Sequence, residues 1–338
     1  MSLTPRAVHL LNDLALGGVT KALSLFDHTQ LRVVASRTVS LDPTWRVAPQ
    51  LDADFILTHF PPSWRTLPFL VSLRVRNPRA RIFHVAHSYT RAWEAAQVPH
   101  RARFRAMLSL AFGFVDTVVA VSQAQGAWLT EAAGLNPDRL RVISPWSGVT
   151  GLEALPAPAT SPGERIVLGA YGRFDPAKGF DVLIDAMAAL DPQRFTLRLG
   201  GFGPEDQALR DRARGAPNIT FAGRIDDVPG FIDGCDVIVV PSRWDSFGLV
   251  ATEARFAGRP IVTADVDGLP EQVGVAGLVA DCTTAAALAR ALSRLPDLDL
   301  AQMGRAGRAS VRGYEAARLR DWKRLFRVGG GSFGDHAG

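Results

Sequence analysis

Short apolar runs recur along the chain, separated by stretches long enough for helices. In the first half they cover residues 7–11, 55–57, 81–86, 117–121 and 141–143. In the second half they cover 166–172, 196–199, 219–221, 237–240, 260–263 and 277–279. Their Val, Ile and Leu are continuous rather than alternating with polar residues. That is the pattern of strands covered on both faces, as in parallel sheets joined by helices. Between the halves, residues 151–164 (GLEALPAPATSPGE) are rich in Pro and Ala and have no amphipathic period, which marks a linker. The pattern predicts an α/β chain of two Rossmann-like domains, 1–150 and 165–313, with parallel sheets facing across a cleft. Residues 314–327 place Leu319, Trp322 and Phe326 on one helical face. We expect 314–328 to be a helix crossing back to the first domain, followed by a disordered tail over 329–338. Ligands of such sheets bind at the carboxyl ends of strands, so function is expected on the loops there.

Composition narrows the classes. A chain of 338 residues suits two domains, and 47% hydrophobic with 21% charged residues excludes disordered, collagen-like and coiled-coil chains. No run approaches the ~20 apolar residues that span a bilayer. Arg6, His9, Asn12 and Asp13 interrupt the N-terminal apolar segment. The expectation is a cytoplasmic protein, neither exported nor integral to a membrane. Two cysteines, Cys235 and Cys282, are too few for a disulfide framework or a Cys-rich metal site. A formal charge of +5 points to an anionic partner: nucleic acid, anionic lipid or a phosphorylated substrate.

The second half carries the clearest chemistry. After the run at 166–172 comes Gly172-Arg173-Phe174-Asp175-Pro176-Ala177-Lys178-Gly179. Arg173 and Lys178, five residues apart on a strand-to-helix loop, can clamp a diphosphate; two solvated surface cations would have the same pattern. Gly200-Gly201-Phe202-Gly203-Pro204 lacks the dinucleotide fingerprint, because Pro204 intervenes where a helix should open. It reads equally as a phosphate loop or a tight turn. The run at 237–240 leads into Pro241-Ser242-Arg243-Trp244-Asp245-Ser246-Phe247-Gly248-Leu249 and then a helix carrying Glu253. Free N–H groups near 247–250 suit an anion, and the two carboxylates suit sugar and ribose hydroxyls. The plain alternative makes Asp245 a helix cap and Glu253 a solvated helix residue.

These segments, GRFDPAKGFDVLIDA, LGGFGPE and DVIVVPSRWDSFGLVATEARFAGRPIVTADVDGLPEQV, resemble in order and spacing the nucleotide-sugar domain of GT-B glycosyltransferases, the retaining family 4 group in particular. The resemblance is specific over 166–281 and looser before it. It implies that Gly172, Arg173 and Lys178 hold the donor diphosphate, that Gly201 and Phe202 border the donor, and that Phe247, Gly248 and Leu249 lie against sugar and diphosphate. Asp245 and Glu253 match the family's acidic pair, with Asp245 on the donor sugar and Glu253 on the ribose. Asp245 stands where the pattern usually has Glu, so its reach is one methylene shorter. In the first half, Gly17 and Gly18 are similar to the family's Gly-Gly loop against the donor phosphates, and a plain turn is the alternative. RIFHVAHS ends a run with two histidines; His87 matches the histidine beside the reacting sugar, His84 is expected inside the sheet, and His59 is a further candidate. No His/Asp/Glu grouping has metal-ligand spacing, so no metal or other cofactor is expected.

Between residues 61 and 110 there are nine Arg and one acid, Glu94, interleaved with Trp64, Phe69 and Phe104. Trp64, Arg101, Arg103 and Arg105 therefore become candidates for an anionic membrane surface bearing a lipid-linked acceptor; ordinary helices with solvated Arg are the alternative. No RNA-binding signature accompanies the basic residues, so nucleic acid is not expected as a partner. The resemblance implies a retaining hexosyltransferase, acting from a nucleoside-diphosphate sugar onto a glycan or lipid-linked acceptor. A degenerate nucleotide-binding subunit and a nucleotide-sugar epimerase are the alternatives.

Overall fold

The computed structural model describes residues 4–12, 18–42, 45–156 and 165–327. Gly17, most of the expected linker and the 329–338 tail lie outside these residues. The chain forms two compact units, Met1–Gly148 with Gly313–Gly338, and Val149–Arg312.

The first unit contains strands β1 (Arg6–Leu11), β2 (Ala35–Ser40), β3 (Phe55–Thr58), β4 (Arg81–Ala86), β5 (Thr117–Ala120) and β6 (Leu140–Val142). Its helices include α1 (Gly18–Leu23), α2 (Leu67–Arg76), α3 (Arg91–Gln97), α4 (Arg101–Gly113) and α5 (Gln123–Ala133). All strand pairs are parallel, in the order β2-β1-β3-β4-β5-β6. Inner strands β3 and β5 are buried throughout, and β1 and β4 beyond their first residue, which explains their apolar runs. Strand β2, ASRTVS, gave no such run because it lies at the edge and is mostly exposed; pairing with β1, not burial, makes it a strand. Order reverses between β1 and β3, so the loops after these strands flank the sheet's switch point.

Trp128 on α5 is completely buried, and its indole Nε1 donates to Glu94 Oε2 at 3.0 Å. Glu94 also receives Arg105 Nε at 2.7 Å and Nη2 at 2.9 Å, so one buried carboxylate ties α3, α4 and α5 together. The Arg105 hydrogen bond holds this carboxyl below its ordinary range. The final helix α12 (Tyr314–Arg327) belongs to this unit. It buries Leu319, Trp322, Leu325 and Phe326, with ring centres of Trp322 and Phe26 at 4.9 Å and of Phe326 and Phe55 at 5.0 Å.

The second unit contains β7 (Ile166–Arg173), β8 (Phe195–Phe202), β9 (Ile219–Gly223), β10 (Val237–Val240), β11 (Ile261–Ala264) and β12 (Gly277–Ala280). Its helices are α6 (Phe180–Met187), α7 (Asp206–Arg212), α8 (Val228–Asp233), α9 (Leu249–Phe256), α10 (Ala285–Leu292) and α11 (Leu300–Ser310). The sheet is again all-parallel, ordered β9-β8-β7-β10-β11-β12. Counted from β7, this is the doubly wound order 3-2-1-4-5-6, whose switch point lies between β7 and β10.

Candidate active site

The loops after β7 and β10 carry the residues that the sequence singled out, and the switch point brings them together. Arg173 is the last, exposed residue of β7. The chain then turns at Pro176–Lys178, where Asp175 accepts from Ala177 N at 3.0 Å. Gly179 has φ +65°, and a Cβ there would lie 2.2 Å from the Pro241 carbonyl oxygen. Only glycine lets the two loops touch at this point. Arg243 locks them further. Its Nη1 and Nη2 donate to the two Asp181 oxygens at 2.8 and 2.6 Å, its Nη1 also to the Pro176 carbonyl at 2.6 Å, and its backbone N to the Ala177 carbonyl at 2.7 Å.

On this platform Lys178 Nζ lies 2.6 Å from Asp245 Oδ2. The other Asp245 oxygen accepts from Phe247 N at 3.3 Å. The loop after β11 joins in, with Asp245 N donating to Asp267 Oδ2 at 3.2 Å. Gln272 braces the far side: its amide donates to the carbonyls of Phe247 and Gly248, and it accepts from Thr252 Oγ1 at 2.5 Å. The segment running into α9 is thus held from the loops after β7 and β11. Glu253 sits one turn inside α9 and is buried, so it is not a solvated helix residue. Tyr171 Oη, on β7, donates to Glu253 Oε2 at 2.5 Å. Burial, then the Glu253 charge, raises the Tyr171 phenol well above its usual range, so it remains a donor.

The glycine-rich loop after β8 has a steric explanation. A Cβ on Gly201 would lie 1.9 Å from the Gly172 carbonyl oxygen, and one on Gly203 2.3 Å from the Phe174 carbonyl oxygen. These glycines let the ends of β7 and β8 approach closely. Phe202 is 54% exposed at the same strand end, with the Arg224 guanidinium 5.4 Å from its ring centre.

In the first unit, three histidines from separate segments form a chain of hydrogen bonds. His9 on β1 places Nδ1 3.0 Å from His59 Nε2, and His59 Nδ1 lies 2.9 Å from His87 Nε2. Burial lowers His9 and His87 to about 4, and lowers His59 well below its usual value. His84 is buried on β4 with Nδ1 2.9 Å from Thr58 Oγ1, inside the sheet. His59, His87, Ser88 and Tyr89 line one small pocket. Gly18 opens α1. Among the described residues, no group of three His, Cys, Asp or Glu side chains is arranged to hold a metal ion.

The basic region differs from its sequence reading. Arg105 points inward to Glu94 and is not a loose surface cation. Arg74 pairs with Asp116 and Arg91 with Glu131, each at 2.5 Å, so acids outside the segment neutralise part of its charge. Trp64 is 44% exposed with the Arg103 guanidinium 5.8 Å from its ring centre, and Arg101 reaches the Ala95 carbonyl at 3.5 Å.

Residues 165–297 match the family model described as glycosyl transferases group 1, and residues 28–146 match that described as glycosyltransferase family 4. This chain belongs to the family 4-like GT-B glycosyltransferases. The D-inositol 3-phosphate glycosyltransferase of Corynebacterium glutamicum is 35% identical over 233 residues, 61% of this chain and 54% of the relative. That of Saccharomonospora viridis is 32% identical over 205 residues, 53% of this chain and 47% of the relative. An uncharacterised 41.2 kDa protein from the cps region of Klebsiella pneumoniae is 33% identical over 120 residues, 34% of this chain and 33% of the relative. The matched segment thus spans between a third and about half of these curated relatives. Among solved structures, sucrose-phosphate synthase from Thermosynechococcus elongatus superposes with TM-score 0.75 at 21% identity, covering 96% of this chain and 98% of that one. Anabaena HepE in complex with UDP gives 0.71 at 19% identity, covering 96% and 99%. These structures share the GT-B fold.

Within this glycosyltransferase family frame, the structure gathers Arg173, Lys178, Asp245, Phe247, Gly248, Leu249 and Glu253 at one switch point. Sequence reasoning missed the groups that hold them: Tyr171, Asp181, Arg243 and Gln272. Arg243 and Gln272 lay within the motif, but their partners are distant in sequence. His9 gave no signal, because an isolated histidine in an apolar run reads as core.

Proposed function

We propose that this chain transfers a hexose from a nucleoside-diphosphate sugar to a hydroxyl of a glycan or lipid-linked acceptor, with retention of anomeric configuration. The observation that carries the reading is the convergence of Arg173 and the Lys178–Asp245 pair with the start of α9 and the buried Glu253 at the second unit's switch point. Cations beside a helix N-terminus suit a diphosphate, and a carboxylate fixed by a tyrosine suits ribose hydroxyls. Arg173 and Lys178 supply the positive charge for the leaving diphosphate, so no metal is required. Asp245 orients Lys178 and accepts from a sugar hydroxyl. The leaving diphosphate takes the acceptor proton on the face it departs from, which retains configuration. Gly172, Gly201 and Phe202 border the donor within the second unit.

The second unit binds the donor and the first the acceptor. Exposed Trp64 with Arg101 and Arg103 suits an anionic membrane surface at the acceptor side. The proposed attachment is peripheral, on the inner face of the plasma membrane; no helix among the described residues is long and apolar enough to cross a membrane. The direct test is a thermal-shift screen against GDP-, UDP-, ADP- and dTDP-sugars, then transfer assays with EDTA and NMR of the anomeric product. A donor present at 100 times its Kd should stabilise by about 2.7 kcal/mol. No stabilisation by any of them sinks the proposal; conversion without acceptor makes the protein an epimerase, and binding without turnover a degenerate subunit.

A further inference from the structure

The loop after β11 turns in a way its own sequence does not favour. Leu269 N donates to the Val266 carbonyl at 3.1 Å, so Asp267 and Gly268 are the two central residues of the turn. Among the described residues, Asp267 is the only non-glycine with positive φ, +48°. That left-handed region suits glycine and is merely tolerated by Asp and Asn. Gly268 stands next in the chain, yet it takes no positive φ. The freedom of the glycine is left unused, and a carboxylate occupies the strained position.

That carboxylate reaches 22 residues back along the chain. Asp245 N donates to Asp267 Oδ2 at 3.2 Å, and the next amide, Gly268 N, donates to the Asp245 carbonyl at 3.3 Å. Two consecutive residues thereby hold both polar groups of the Asp245 backbone. The same loop seats the residues that follow. A Cβ on Gly248 would lie 2.3 Å from Leu269 Cδ2, and Gln272 donates to the carbonyls of Phe247 and Gly248. Asp245 lies between β10 and α9, outside both elements, so bonds from other loops decide where it stands. We propose that Asp267 is a positioning residue, which clasps the Asp245 backbone and so fixes where the Asp245 carboxylate points.

An aspartate side chain has two rotatable bonds, so it cannot re-extend to compensate for a displaced backbone. A glycine at 267 would make the turn without strain but could not accept from Asp245 N. An asparagine tolerates the same φ and keeps an accepting oxygen. Lys178 has its own support, because Gly179 and Arg243 hold its loop. Loss of the clasp should therefore disturb what Asp245 binds more than what Lys178 binds. On the glycosyltransferase reading, that is the donor sugar more than the diphosphate. This assignment rests on that reading; the clasp does not.

The test compares Asp267→Gly and Asp267→Asn with the unmodified full chain. Amide hydrogen exchange followed by NMR reads the clasp. Calorimetric titration with GDP-, UDP-, ADP- and dTDP-sugars, and with the corresponding free diphosphates, reads the site. In Asp267→Gly the Asp245 amide should exchange about tenfold faster or more, with β10 and α9 unchanged. Affinity for the sugar nucleotide should fall about tenfold, and affinity for its free diphosphate by less than about threefold. Asp267→Asn should restore most of both. Unaltered Asp245 exchange in Asp267→Gly overturns the proposal, as does faster exchange spread across β10 and α9, which marks general destabilisation. Equal losses for the sugar nucleotide and the free diphosphate, or no recovery in Asp267→Asn, also overturn it. If the exchange pattern appears but the unmodified chain binds no sugar nucleotide, the clasp stands and the glycosyltransferase reading falls.

Discussion

Tyr171→Phe isolates one hydrogen bond beside the second unit's switch point. The phenyl ring stays and fills the same space, so no cavity opens. What disappears is the Oη–H donated to the buried Glu253 carboxylate at 2.5 Å. A hydrogen bond to a charged group contributes about 1.5–3 kcal/mol, and its loss inside a protein is not replaced by water. For a unit the size of Val149–Arg312, each kcal/mol shifts Tm by about 2–4 °C. The expected fall is therefore about 3–12 °C in that unit's transition, measured by calorimetry. The second readout is affinity for the free nucleoside diphosphate. With Glu253 no longer held on one oxygen, its geometry toward ribose hydroxyls loosens, and affinity should fall about tenfold, or ~1.4 kcal/mol. Unchanged Tm and unchanged affinity would refute the reasoning outright. A lower Tm with unaltered affinity would show that the bond is structural and that Glu253 does not meet the ribose.

Lys178→Ala should reduce transfer by about 2.7–4 kcal/mol in the activation barrier while the circular dichroism spectrum is preserved; near-wild-type turnover removes Lys178 from the mechanism. Asp245→Asn should impair transfer more than binding of the free nucleotide, read by kinetics beside calorimetric titration, and equal losses would contradict a role at the sugar. For pH dependence, His9 is lowered to about 4 and His84 to about 3 by burial, against about 6.5 when unfolded. The unfolded chain therefore binds more protons below pH 6.5, so stability is complete above that value and is lost as pH falls toward 4. Each histidine contributes a slope of about 1.4 kcal/mol per pH unit; urea unfolding that is flat between pH 7.5 and 5 would disprove it. Arg101→Glu with Arg103→Glu should release the protein from anionic vesicles without altering nucleotide binding, with Arg105 left in place because it holds Glu94. Absence of vesicle binding at low salt by the unmodified chain defeats the membrane proposal.

The alternation of apolar runs with helix-length segments determined the two parallel α/β sheets, because strands covered on both faces must be continuously hydrophobic. The strand that escaped, Ala35–Ser40, lies at an edge, where hydrogen bonding to β1 suffices and burial writes no pattern. The positions of Arg173, Lys178, Asp245 and Glu253 at strand ends and on one helix were legible because these elements keep each motif local in sequence. Their environments were not. Lys178 and Asp245 are 67 residues apart, Tyr171 and Glu253 82, and Arg243 and Asp181 62, so only the sheet order, which sets β7 beside β10, decides that they meet. The basic segment shows the same limit. Counting acids nearby in sequence made Arg74, Arg91 and Arg105 look unopposed, but Asp116 and Glu131 come from other elements, and Glu94 turns Arg105 inward. His9, His59 and His87 were three unrelated residues on paper. Neighbouring parallel strands aligned them, since only tertiary packing sets which side chains share a low-dielectric interior.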